Sequence, residues 1–77
     1  MESRVDDPLE TIKSFNRQFQ LTEEEQAAVE WGWMWEPGIT MFHILNAYTR
    51  AAMFNGLSAV SSYRLQSVGG QILAMVR

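Results

Sequence analysis

The stretch Thr40 to Phe54 carries an apolar stripe too wide for a helix that rests on a single neighbour. Phe42, Ile44, Leu45, Tyr48, Ala52 and Met53 recur at helical spacing and spread over much of the circumference. A helix of this kind needs apolar partners on more than one side. With Thr40 as its cap, it is expected to run from Met41 to about Phe54 as the core helix. Asn55-Gly56 is the expected stop, because both residues tolerate the left-handed conformation that ends helices.

The rest of the chain supplies helical neighbours. Asp7-Pro8-Leu9-Glu10 is a helix start: an Asp cap, proline where its missing amide hydrogen does no harm, and Glu three residues after the cap. Leu9, Ile12, Phe15 and Phe19 then share one face, so a helix is expected from Pro8 to Phe19 with Lys13, Arg17 and Gln18 solvated. Leu21-Thr22-Glu23-Glu24-Glu25 is a second start, with Thr22 and Glu25 as a capping box and three carboxylates at the positive end of the helix dipole. Ala27, Ala28, Trp31 and Trp35 are expected on its inner face, with Glu36-Pro37-Gly38 as the terminator.

A final helix is expected from a Ser58 cap almost to the C-terminus. Val60, Ser61, Leu65, Val68, Ile72, Leu73 and Val76 mark its buried side, and Tyr63, Arg64, Gln66 and Gln71 its border. Gly69-Gly70 within it costs about 1 kcal/mol per residue relative to alanine, which points to a close backbone approach or a kink. The expected fold is therefore all-α, a bundle of about four helices forming one domain over residues 1–77, with 1–7 flexible.

A chain of 77 residues buries only about 60% of its unfolded surface, so nearly every apolar group is needed. With 47% hydrophobic residues and nine aromatics, either a dense core or one completed by a homodimer is expected. There is no cysteine, hence no disulfide framework and no thiolate zinc site. No secretory signal and no membrane span are legible, so a cytoplasmic protein is expected.

Charge is segregated along the chain. All nine acids lie at or before Glu36, against Arg4, Lys13 and Arg17, a net of minus six; after Pro37 the only charges are Arg50, Arg64 and Arg77. Either the two halves compensate one another, or an acidic face meets a basic partner. Glu23, Glu24, Glu30 and Glu36 are the candidate acidic contacts, and the Arg50/Arg64 side is where any nucleic acid would bind. Trp33, pointing away from the face of Trp31 and Trp35, is the candidate exposed hot spot. His43, Asn46 and Arg50 form a second polar face at helical spacing.

Catalytic chemistry has little to build on. His43 is the lone histidine, without a nucleophilic cysteine or a carboxylate near it in sequence. Glu23, Glu24, Glu25 and Glu30 lack the Glu-x-x-His pattern of a bundle metal site, and Gly69-Gly70 does not make a phosphate loop. No enzyme activity, metal or cofactor is expected.

Several segments also carry a resemblance. Leu21-Thr22-Glu23-Glu24-Glu25 with its Trp-rich helix, Ile39 to Ala52, Tyr63-Arg64-Leu65-Gln66 and Gly69-Gly70-Gln71-Ile72-Leu73 resemble the C-terminal helical part of the phage- and plasmid-associated domain of unknown function numbered 932. That family has a Thr-aromatic start to an Asn-Ala-x-Thr helix and ends on a Leu-x-x-x-Gly-Gly helix. The likeness spans roughly Leu21 to Val76, without the family's long N-terminal body, and Asn46, Thr49 and Arg50 match its helix motif. It implies a phage or mobile-element context and no catalytic residues. Together these features lead to the expectation of a small protein-binding module, such as an inhibitor that blocks the nucleic-acid groove of a host CRISPR effector. The alternatives are a homo-oligomeric structural protein and a DNA-binding accessory.

Overall fold

A computed structural model describes residues 4–54 and 56–76 and shows four helices: α1 (Pro8–Gln18), α2 (Glu23–Trp35), α3 (Met41–Phe54) and α4 (Ala59–Val76). The Cα radius of gyration is 11.1 Å. A compact chain of this length is expected at about 11.5 Å, so the bundle closes on itself. α3 touches each of the other three helices. Its Ile44, Ala47, Tyr48 and Ala51 are completely buried, with Ile12 of α1, Val29 of α2 and Leu65 and Ile72 of α4 around them.

Local chemistry sets most of the boundaries. Asp7 Oδ1 accepts the Glu10 amide at 3.2 Å, with Pro8 in the first turn. The capping box of α2 is complete: Thr22 Oγ1 accepts the Glu25 amide at 3.1 Å and Glu25 Oε1 accepts the Thr22 amide at 2.9 Å. Ser58 Oγ takes the Ser61 amide at 3.2 Å. Gly56 has φ +67°, the left-handed stop expected there, while its neighbour Asn55 lies outside the described residues.

α1 ends without a glycine. Leu21 N–H donates to the Asn16 carbonyl at 3.0 Å and Gln20 N–H to the Arg17 carbonyl at 3.1 Å, the paired bonds of a Schellman turn. The turn requires Gln20 at φ +55°, a region that disfavours a side chain. One of the contacts that holds it comes from α4, where Arg64 Nη2 donates to the Gln20 carbonyl at 3.2 Å.

Several expectations are corrected. In the N-terminal segment, for which flexibility is expected, Arg4 pairs with Thr40 in an antiparallel bridge, and Val5 donates to the Ile39 carbonyl and packs on the core. The first three residues lie outside the described residues. On α2 the inner face consists of Glu25, Ala28, Val29 and Gly32, whereas Ala27 and Trp35 face outward and Trp31 is half-buried. Gly32 decides this rotation, since a Cβ there would stand 2.5 Å from the Ala47 carbonyl oxygen. On α3, Phe42 and Met53 are exposed, and on α4 Val60 is 71% exposed. Among the described residues no backbone makes the close approach expected at Gly69-Gly70. A Cβ on Gly69 would meet Leu45 Cδ1 at an ordinary 3.6 Å, one on Gly70 would meet nothing within 4 Å, and α4 is unbroken.

The polar group buried deepest between α1 and α3 is also a tie. Tyr48 Oη lies 2.7 Å from Asn16 Oδ1 and 3.3 Å from the Ile12 carbonyl, and burial pushes the phenol pKa up. Neutral Tyr48 therefore links the two helices by hydrogen bonds in a site that would penalise its anion.

The contact between α2 and α3 leaves no room for a methyl group at Gly32. Gly32→Ala is expected to destabilise the fold by about 1–3 kcal/mol through overpacking, despite alanine's better helix propensity. Urea unfolding followed by far-UV circular dichroism measures it.

Candidate docking surface

Once Gly32 is fixed against α3, the outer side of α2 follows from helical geometry. Glu23, Glu24, Ala27, Glu30, Trp31, Met34 and Trp35 form one stripe along it. Its N-terminal half is acidic and its C-terminal half aromatic. Trp35 is 67% and Met34 65% exposed, and they line a shallow concavity with Trp31. The Trp31 and Trp35 rings meet edge to face, with centroids 5.7 Å apart, which holds two large apolar groups in place at the surface.

The candidate residues read from the sequence divide accordingly. Glu23, Glu24 and Glu30 lie on this stripe, the first two exposed and Glu30 half-buried. Glu36, the last residue of the acidic run, turns towards Arg50, with Nη2 and Oε2 3.5 Å apart. Trp33 is corrected: it is half-buried against the core, and its indole N–H donates to the Gly38 carbonyl at 3.4 Å. The exposed tryptophan is Trp35, packed edge to face on the half-buried Trp31, which the expected inward face had hidden. The signal that finds them is Gly32, three residues from Val29 and four from Ala28, which marks the small-residue side of the helix as the packed one.

His43, Asn46 and Arg50 do not converge. His43 Nδ1 lies 2.8 Å from Thr40 Oγ1, and its ring covers Gly38, leaving no space for a side chain there. The Thr40 amide also points at Nδ1, and the His43 amide at Thr40 Oγ1, each at 3.4 Å. His43 thus plays the part that Glu plays in a capping box, using Nδ1 as acceptor. Arg50 reaches across to α2, donating to the Gly32 carbonyl at 3.2 Å, while Asn46 is exposed.

Arg64 is similarly engaged. Besides its bond to Gln20, it lies 3.5 Å from Glu25, whose side chain is almost completely buried. Burial pushes the Glu25 pKa up, but the Thr22 amide, the Ser61 hydroxyl and the Arg64 guanidinium stabilise the carboxylate by more. The net shift is below the ordinary value of 4.5. The side proposed for nucleic acid is therefore occupied by internal contacts at Arg50 and Arg64, and Arg77 lies outside the described residues. Among the described residues no three metal-ligating side chains come together, and no helix is long and apolar enough to cross a membrane.

No protein family, curated protein or solved structure matches this chain. The functional reading accordingly rests on the surface itself.

Because folding lowers the Glu25 pKa, its carboxylate contributes stability that is complete above the ordinary carboxylate range and is lost as pH falls through the lower folded value. Glu25→Gln, which keeps a capping acceptor but no charge, is expected to cost about 1–2 kcal/mol at neutral pH. The wild-type and variant stabilities should converge as pH falls below 4.5. Urea midpoints measured at a series of pH values test this.

Proposed function

We propose that this chain is a non-enzymatic protein-binding module that acts through the outer stripe of α2. The observation that carries the reading is the stripe's composition: free carboxylates at one end, exposed Trp35 and Met34 at the other, and no basic residue between Glu23 and Glu36. Rigid surface tryptophans are the residues that dominate binding energies, while a one-signed charge field selects the partner and speeds encounter. The complementary surface is basic with an apolar pocket.

Grooves that hold nucleic acid have that character. Joined with the resemblance of residues 21–76 to domain family 932, the stripe supports a phage or mobile-element protein of the cytoplasm that occupies the nucleic-acid groove of a host defence complex such as a CRISPR effector. The internal roles of Arg50 and Arg64 weigh against the DNA-accessory alternative, and the capping role of His43 against an enzyme.

Competition between the purified protein and guide or target nucleic acid for a host CRISPR effector tests the proposal. The wild type should displace the nucleic acid. Trp35→Ala and the double change Glu23→Lys, Glu24→Lys should each weaken displacement by about tenfold or more. His43→Gln, which preserves a capping acceptor, should leave it unchanged. No displacement by the wild type, or equal displacement by the α2 variants, would refute the reading.

A further inference from the structure

The shallow concavity on the outer side of α2 combines two kinds of chemistry. Trp31, Met34 and Trp35 line about 380 Å³, close to the lower end of the roughly 300–1,000 Å³ of sites that take a whole small molecule. That is room for one long side chain. The two indole planes stand at 73° to one another, so they form a corner rather than a flat platform. An indole face carries the negative part of the ring quadrupole and attracts a cation laid over it.

Glu30 borders this corner. It precedes Trp31 in the chain and stands one helical turn before Met34, and the residue is half-buried. Among the described residues no cation of the chain pairs with it: Arg17 lies against Glu10, Arg50 against Glu36 and Arg64 against Glu25. Glu23 and Glu24 extend the same sign of charge along the stripe, and no basic residue stands between Glu23 and Glu36.

Together the indoles and the carboxylate constrain what can cover the concavity. An apolar side chain would suit the indoles, but it would strip water from the Glu30 carboxylate and leave a charge without a partner. A carboxylate or phosphate would meet like charge. An ammonium supplies the charge, but it is a strongly hydrated point that stacks on nothing. A guanidinium meets every requirement: it is planar and weakly hydrated, it stacks on an indole face, and its fork of N–H donors pairs with a carboxylate at the same time. We propose that the concavity of Trp31, Met34 and Trp35 receives an arginine side chain of the partner, its guanidinium stacked on indole and donating to Glu30. The inference rests on the reading of α2 as a docking surface and names the partner residue that this surface selects.

NMR titration of the full chain with blocked pentapeptides tests the inference. The peptides carry a lysine on either side of one central residue, which is arginine, lysine, citrulline or leucine; citrulline keeps the planar shape and loses the charge. The arginine peptide should shift the indole N–H signals of Trp31 and Trp35 and leave that of Trp33, bonded to Gly38, unmoved. Its affinity should exceed that of the lysine peptide by about threefold, and those of the citrulline and leucine peptides by about tenfold. Glu30→Gln and Trp35→Ala should each erase most of the arginine advantage, with helicity by circular dichroism unchanged. A leucine or citrulline peptide that binds as tightly as the arginine peptide, an arginine affinity unaltered by Glu30→Gln, or no shift of Trp35 by the arginine peptide would overturn the proposal. None of these outcomes bears on whether the whole protein displaces nucleic acid in a Trp35-dependent way, so the docking reading stands or falls by its own assay.

Discussion

The near-contact of the α2 and α3 backbones at Gly32 and Ala47 sets the arrangement of everything else on α2. With no side chain at Gly32, the Ala47 carbonyl occupies the space a methyl group would need. That fixes the rotation of α2, placing Glu25, Ala28 and Val29 inward and sending Trp35 and Met34 outward. It also brings the Gly32 carbonyl within reach of Arg50, which ties the end of α2 to α3 a second time. A surface rich in tryptophan is thus the geometric consequence of a small-residue contact on the opposite side of the same helix.

Electrostatics complete the assembly in a way the linear charge segregation anticipates only in part. Among the described residues the acidic and basic halves compensate one another at two points. Arg64 links α4 to Glu25 and to the strained turn at Gln20, and Arg50 links α3 to Glu36 and the α2 terminus. Among the described residues the remaining carboxylates of α2 have no such assignment. They form the one-signed field on which the proposed partner selection depends, a field that added salt would screen.

Much of the fold was legible because helix boundaries are local chemistry. Asp7, Thr22 with Glu25, Thr40 and Ser58 cap the four helices as their sequence patterns indicate, since a cap needs only its own turn. The rotation of a helix about its axis is decided by its neighbours, and there the largest residues misled. Trp31 and Trp35 have the spacing of a core face, yet a helix can approach α3 closely only on its glycine side, so the bulky rings are excluded. Trp33, read as the residue left over, reaches a carbonyl at Gly38 and is drawn inward. His43 was legible as a structural residue, but not its specific role as the acceptor at the start of α3. The buried Asn16–Tyr48 tie joins positions 32 residues apart and leaves no periodic trace. Glu23, Glu24 and Glu30 were legible as a surface because charges clustered at a helix start stay in water unless a partner such as Arg64 reaches them.

The central claim is that Gly32 turns α2 so that Trp35 faces solvent and Trp33 does not. Nitrogen-15 relaxation enhancement by a soluble gadolinium chelate tests it on the three indole N–H signals at once. The account predicts strong broadening of Trp35 and protection of Trp33, whose N–H is bonded to Gly38. Broadening of Trp33 with protection of Trp35 would mean that α2 packs by its tryptophan face, and the surface on which the proposed function rests would not exist.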